Sequence, residues 1–237
     1  MYYYAVAKGH NIGIYNYWND CKEQILGYSG AIYKKFTDEE DAENFILNCS
    51  SVNSDILYNI YNKYDDKLVD KYIYTDGSCI NNGKINSLLG IGVYIDDKSD
   101  NISKVYDNIE FKHILKTNNT AELLAIINAY YLIQNELENK KICIVTDSEY
   151  SIKCATTYGE KCEKNKWSKN IPNKELIIEL YNIYKSNNNL KLKHVKAHTN
   201  NDDIHSIGNA KADKLAYNSI KNYIRINKIN KINKINE

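Results

Sequence analysis

Apolar and polar positions divide the chain into four stretches. In residues 1–48, short strand-like runs at Tyr3 to Val6, Ile12 to Tyr15 and Ala31 to Phe36 predict three strands. A short helix is expected after Trp18-Asn19-Asp20. A second should follow Thr37, where Thr37-x-x-Glu40 has the form of a capping box and Ala42, Phe45 and Ile46 make an apolar stripe. This is a small α+β mini-domain, marginal in size on its own. Residues 49–70 show no clean period, and their Asn, Ser, Asp and Lys content reads as a linker.

Residues 71–220 carry the main core. Strands are expected at Tyr72 to Thr75, Gly90 to Ile95 and Val105 to Phe111, with a polar turn from Asp96 to Asn101. An apolar helix should cover Ala121 to Ile133. Ile142 to Thr146 reads as a strand buried on both faces. Leu176 to Tyr184 is helical, Leu190 to Val195 alternates as a strand, and Ala210 to Ile220 closes with a helix. The fold class is α/β. The order predicts a mixed five-stranded sheet, antiparallel at first and parallel later, flanked by helices. Residues 221–237 end in a Lys-Ile-Asn repeat whose period of three suits neither helix nor strand. With five cationic residues and one acid, they read as a basic low-complexity tail, solvated or loosely phosphate-binding.

Composition narrows the function. The 237 residues hold 31 Lys and Arg against 30 Asp and Glu, so the net charge is +1. Any binding of a polyanion must therefore come from local patches. A mean hydropathy of −0.57 and charges in every apolar run speak against a membrane span. The N-terminus lacks the layout of a signal peptide. The 6 cysteines form no C-x-x-C and read as reduced thiols in an intracellular compartment, cytoplasmic or nuclear. The abundance of Asn, Ile, Lys and Tyr reads as coding bias.

The chemistry lies in acids at element ends. Asp76 ends the first core strand and Asp147 ends the two-sided one. A carboxylate at a buried strand end costs desolvation unless something compensates. If those strands are neighbours, the two carboxylates converge at the strand carboxyl ends, where open sheets place their sites. Glu122 stands early in the apolar helix and Asp213 early in the last one. Clustered oxygen ligands suit Mg²⁺. Two such ions about 3.5–4 Å apart can activate water and stabilise a leaving oxygen in phosphodiester hydrolysis. Each acid alone also has a local explanation. Asp76-Gly77 can be a turn. Glu122 can complete a capping box with Asn119 as N-cap.

The blocks Asp76-Gly77-Ser78, Thr117-Asn118-Asn119-Thr120-Ala121-Glu122, Thr146-Asp147-Ser148, His194-Val195-Lys196-Ala197-His198 and Gly208-Asn209-Ala210-Lys211-Ala212-Asp213 stand in one order. Together they resemble the type 1 ribonuclease H family over nearly all of residues 71–220. The resemblance implies that Asp76, Glu122, Asp147 and Asp213 bind two Mg²⁺, for which Mn²⁺ can substitute. It implies endonucleolytic cleavage of the RNA strand of RNA–DNA hybrids, leaving 5′-phosphate and 3′-hydroxyl ends. His198 becomes the histidine that assists proton transfer and product release. Asn82, Asn118 and Asn119 match positions that read the RNA minor groove, and Thr117 and Asn173 match positions that hold a DNA phosphate.

Two departures matter. The segment from His198 to Asn209 is longer than usual, so either His198 or His205 can be the one that reaches the scissile phosphate. His194 and His198 stand four apart on a strand-like run without a cysteine, a poor zinc site. Residues 158–174 resemble the family's basic substrate handle, with five lysines against Glu160 and Glu163 and with Tyr158 and Trp167 interleaved. Family members often carry tryptophans where this chain has Tyr158 and Cys162.

In residues 1–48, Tyr4-Ala5-Val6-Ala7-Lys8-Gly9, Ile14-Tyr15, Trp18-Asn19-Asp20-Cys21 and Tyr33-Lys34-Lys35-Phe36 resemble the hybrid-binding (viroplasmin-like) domain found ahead of many type 1 enzymes. Trp18 then matches the aromatic on which the DNA strand packs, Lys34 and Lys35 match phosphate contacts, and Tyr33 flanks them. The mini-domain carries four lysines against seven acids, the acids clustering after Thr37.

The expected function is a hybrid-specific ribonuclease, a monomer with no membrane association, whose family roles are primer removal in DNA replication and hybrid clearance. The alternatives are a nuclease-inactive nucleic-acid-binding protein on the same fold, which the four acids oppose, and a detached retroelement domain, which the mini-domain opposes.

Overall fold

The computed structural model describes residues 2–49, 68–84, 86–96, 101–107, 116–167, 170–197 and 202–233. Most of the expected linker, part of the Asp96–Asn101 turn and His198 lie outside the described residues. The chain forms two compact units, one of Met1–Tyr64 with Glu149–Asn188, the other of Asp65–Ser148 with Asn189–Glu237. The helical segment after Asp147 thus packs with the N-terminal stretch. Among the described residues no helix is long and apolar enough to cross a membrane.

In the first unit, β1 (Tyr3–Lys8) lies between β2 (Gly13–Tyr15) and β3 (Ile32–Phe36), antiparallel to both. Helix α1 (Trp18–Ile25) covers one face, with Cys21 packed on Val6 and Tyr15. Helix α2 (Glu39–Cys49) packs on the other through Phe45 against Phe36. Its start is capped by Asp38, whose Oδ1 accepts from the Asp41 amide at 3.3 Å, one residue later than the expected Thr37. Three helices complete the unit: α4 (Glu149–Ala155), α5 (Thr157–Lys164) and α6 (Lys174–Ser186).

The second unit holds β4 (Lys71–Ile80), β5 (Leu88–Tyr94), β6 (Ile102–Tyr106), β7 (Ile142–Thr146) and β8 (Leu190–His194) in the order β6-β5-β4-β7-β8. The pairs β4–β5 and β5–β6 are antiparallel, and β4–β7 and β7–β8 are parallel. The mixed sheet matches the expectation, and β7 is buried at every residue. Helix α3 (Asn118–Ile133) is buried along nearly its whole apolar length. It begins earlier than expected. Thr117, not Asn119, is its N-cap, forming a capping box with Thr120. Glu122 therefore stands in the second turn and has no capping role.

The last helix, α7, runs from Ile204 to Asn233, far beyond the expected Ala210 to Ile220. The Lys-Ile-Asn repeat is helical through Asn233, not an unstructured tail. Elongating a formed helix needs no new nucleus, and no Gly or Pro follows Gly208 to stop it. A three-residue repeat steps round a helix by 300°, so its isoleucines spiral and form no single apolar face. Accordingly Ile226 and Ile229 are exposed.

Two glycines let the layers touch. A Cβ on Gly77 would strike the Ala121–Glu122 backbone of α3. One on Gly92, which pairs with Asp76, would strike the Ala212 carbonyl of α7. Gly92→Ala should therefore destabilise the fold by roughly 1–3 kcal/mol, the usual range for overpacking. A thermal melt followed by circular dichroism checks this. An unchanged Tm would show that α7 does not press on β5.

Candidate active site

The parallel register sets the site. Tyr74 pairs with Val145 across β4 and β7. Two residues farther on each strand come Asp76 and Asp147, at the same level on neighbouring strands. Gly77 brings the start of α3 against β4 and so delivers Glu122. Gly92 and the small residues Ala212 and Ala216 do the same for α7 and Asp213. One carboxylate oxygen each from Asp76, Glu122 and Asp147 lies within 4.8 Å of the other two. Asp213 lines the same cavity of about 290 Å³, together with Asn118, Lys196, Ser206 and Asn209, and its charge acts on Asp76.

Neighbours hold Asp147 in place. Asn209 Nδ2 donates to Asp147 Oδ2 at 3.1 Å, and His194 Nε2 donates to its backbone carbonyl at 3.1 Å. Asn209 was not singled out from the sequence, although it stands four residues before Asp213, the spacing that puts two side chains on one helix face. Lys196 was likewise missed. It follows the end of β8 and is a cation of the cavity lining.

The acids strain one another. Burial, then the charges of Asp147 and Asp213, push Asp76 up to about 8. Burial, then the charge of Asp76, pushes Glu122 well above the usual carboxylate range. Glu122 Oε2 is buried and, among the described residues, has no hydrogen-bond partner. An orphaned carboxylate oxygen among three others is a donor set that fits a hard divalent cation, which would neutralise the repulsion and satisfy the oxygen.

The RNase H family model matches residues 69–221, well over half of the chain. The chain belongs to the ribonuclease H family. A second model, described as the Ribonuclease H1 N-terminal domain, matches residues 2–46. The ribonuclease H of Schizosaccharomyces pombe is 32% identical over 268 residues, covering 90% of this chain and 95% of that protein. A probable ribonuclease H of Acanthamoeba polyphaga mimivirus is 36% identical, over 62% of this chain and 65% of its own. Human ribonuclease H1 is 24% identical, over 92% and 89%. Among solved structures, the native prototype foamy virus protease–reverse transcriptase shares the fold, with a TM-score of 0.51 and 24% identity over 63% of this chain and 20% of that one.

Around this ribonuclease H site the other expected contacts divide. Asn118 lines the cavity, and its amide donates to Asn82 Oδ1 at 3.2 Å, so these two expected groove readers are coupled. Asn119 is buried at the start of α3, and the Thr117 hydroxyl is engaged in the capping box. Asn173, in the other unit, takes a left-handed backbone (φ 51°) and donates to both Glu43 and Tyr150 at 3.3 Å. Trp167 is half-buried and packs edge-on against Tyr181.

Tyr158 is corrected. At 3% exposure it belongs to the core of its unit and cannot interleave with the handle lysines. Part of the reason was readable: it stands four residues before Cys162, also buried, on the inner face of α5. In the mini-domain, Trp18 (42% exposed) packs between Tyr4 and Tyr33 (46% exposed), and the Lys35 ammonium lies 3.4 Å from the Tyr2 ring centroid. Strand alternation puts Tyr33 and Lys35 on the α1 face. Lys34 goes to the α2 face, over Phe36.

Asp76 binds its proton more tightly folded than unfolded. That contribution is fully present below the ordinary value of 3.8 and is lost as pH rises through about 8. The metal-free protein should therefore lose stability from pH 4 to 8, and Mg²⁺ should raise Tm more at pH 8 than at pH 5. Asp76→Asn should raise the Tm of the metal-free protein at pH 8 by a few degrees, given about 2–4 °C per kcal/mol at this size, and should abolish the Mg²⁺ response. Calorimetry with and without EDTA measures both. A lower Tm for metal-free Asp76→Asn would show that the acids do not strain one another.

Proposed function

We propose that the chain is an endoribonuclease that hydrolyses the RNA strand of RNA–DNA hybrids with two Mg²⁺ ions, or Mn²⁺, leaving 5′-phosphate and 3′-hydroxyl ends. The observation that carries this is a cavity lined by four acids from four elements, three of them with carboxylate oxygens within 4.8 Å of one another and one with an orphaned buried oxygen, in a chain of the ribonuclease H family. Asp76, Glu122, Asp147 and Asp213 hold the ions, which when bound activate water and stabilise the leaving oxygen. Asn209 keeps the Asp147 carboxylate from turning away. Lys196 supplies positive charge to a phosphate entering the cavity. Asn118, braced by Asn82, meets the RNA minor groove.

The resemblance gives the histidine role to His198, which lies outside the described residues, and the contacts of His205 favour that choice. The ring of His205 is held elsewhere, with Nδ1 against the Tyr74 hydroxyl at 3.4 Å and Nε2 against Lys193 at 3.1 Å, and it stacks edge-on against Tyr72. It does not line the acid cavity. Near neutral pH an imidazole can pass a proton without competing for the ions.

Cleavage of matched hybrid, duplex RNA and duplex DNA tests the reading. Only the RNA of the hybrid should be cut, and only with a divalent cation. Asp147→Asn should keep the fold and lose more than about 100-fold in rate. Asn209→Ala, which removes only a supporting hydrogen bond, should lose about 10–100-fold. Wild-type turnover by Asp147→Asn under Mg²⁺ sinks the assignment.

The mini-domain then acts as a sequence-blind platform for the hybrid through Trp18, Tyr33 and Lys35. A stacked base is worth about 1–3 kcal/mol, so Trp18→Ala with Lys35→Ala should weaken hybrid binding by about tenfold or more in fluorescence anisotropy. Lys34→Ala, on the opposite face, should have a markedly smaller effect. Equal losses from Lys34→Ala and Lys35→Ala would refute the one-face platform.

A further inference from the structure

The first unit contains a cavity of about 320 Å³ between the turn that follows β1 and helix α5. Lys8, His10, Asn11, Tyr28, Lys161 and Asn165 provide its polar lining. The geometry points to a second phosphate-binding site here, in which Lys8 and Lys161 face one phosphate group from two separate segments of the chain.

Three observations carry the inference. The first is charge. Two ammonium groups and an imidazole line the cavity, and among the described residues no carboxylate does. The acids nearest along α5 are engaged outside it. Glu160 pairs with Lys164 at 2.6 Å, and Glu163 binds Lys185 at 2.8 Å and the Tyr181 hydroxyl at 2.9 Å. The second is strain. Lys161 is half-buried, and burial, with a minor contribution from the charge of Lys8, pulls its ammonium below the usual lysine range. Two like charges held together in a concavity cost free energy that an entering anion returns.

The third is rigidity. The turn carrying Lys8 and His10 is tied to α1 and the loop after it. The His10 amide donates to the Gln24 carbonyl at 2.8 Å, Asn11 Nδ2 donates to Gln24 Oε1 at 2.7 Å, and His10 Nε2 donates to the Leu26 carbonyl at 3.1 Å. The His10 ring also rests edge-on against Tyr28. Donors fixed beforehand lose little freedom on binding. Mixed lysine, hydroxyl and amide donors without a base-reading pair are the pattern of a phosphate contact, which positions without specifying sequence.

A phosphate can come from a nucleic-acid backbone or be free in solution. The first source rests on the hybrid substrate proposed above, and the experiment separates the two. Lys8→Gln/Lys161→Gln is compared with wild type and with Lys8→Arg/Lys161→Arg. Hybrid affinity is measured by anisotropy in EDTA over a range of salt. Inorganic phosphate is titrated in parallel while the His10 side-chain resonances, present in every variant, are followed by NMR.

Loss of this contact should lower the slope of log affinity against log salt by about one. Affinity should fall several-fold, with the arginine pair close to wild type. That result assigns the site to a backbone phosphate. Resonances that move with inorganic phosphate in wild type but not in the glutamine pair, with an unchanged salt slope, assign it to free phosphate. An unchanged slope and unmoved resonances in wild type overturn the site. Wild-type cleavage of hybrid in that case leaves the ribonuclease reading standing. Moving resonances in a chain that cleaves no hybrid would leave this site standing and the other reading fallen.

Discussion

Carboxylate repulsion is what the second unit is built to withstand. Asp76, Glu122, Asp147 and Asp213 would separate if the chain allowed it. Burial, then the charges of Asp147 and Asp213, hold Asp76 near a pKa of about 8 instead of 3.8. Only a frame stiffer than the repulsion can keep such a cluster. That frame is a sheet buried at its centre, with β7 inaccessible at every residue and Ile73, Tyr74 and Thr75 of β4 equally covered. Asp76 is the last buried residue of β4, and Asp147 is the half-buried residue just past β7. A site one residue deeper would leave the charges without solvent or cation, and one farther out would lose the shared level that the parallel register sets.

The same constraint accounts for the small residues. A helix can bring a carboxylate to a strand end only if its backbone comes close to the sheet, and a side chain at the crossing would hold it away. Gly77 under α3 and Gly92 under α7 remove that obstacle, with Ala212 and Ala216 on the helix side. Catalytic geometry in this fold is therefore carried by residues with no chemistry of their own. Asn209 works differently. It does not set the approach of α7 but fixes the orientation of one acid once the approach is made.

Much of this was legible in the chain. Ile142 to Thr146 reads as a doubly buried strand because it is apolar without alternation, and the acids stand out because they interrupt core elements at their ends. The N-cap of α3 was not legible, since Thr117, Asn118, Asn119 and Thr120 are all able to cap and pattern cannot choose among them. Nor was the length of α7, because a three-residue repeat produces no face for periodicity to detect. Tyr158 was misplaced for another reason. Lysines around it suggested a surface, whereas its spacing from Cys162 puts it on the inner face of α5. The packing of Glu149–Asn188 with the N-terminal stretch depends on contacts between segments more than a hundred residues apart, such as Glu43 with Asn173. No local pattern encodes those.

A net charge of +1 looks unsuited to binding a polyanion. At physiological salt, however, charges more than about 8 Å apart are largely screened. What a phosphate meets is therefore the nearest few groups and not the sum over the chain. The mini-domain, with more acids than lysines, shows how the separation is achieved. Alternation along β3 turns Lys35 and Tyr33 toward Trp18, while Lys34 faces the side where acidic α2 packs. Two adjacent lysines thus belong to different electrostatic environments, a distinction of one residue that composition cannot express. The cavity beside α5 is lined by Lys8 and Lys161, while Glu160 and Glu163 are bound to other partners. In this chain the capacity to hold phosphate is a property of faces, set by the two-residue period of a strand and the pairing preferences of a helix.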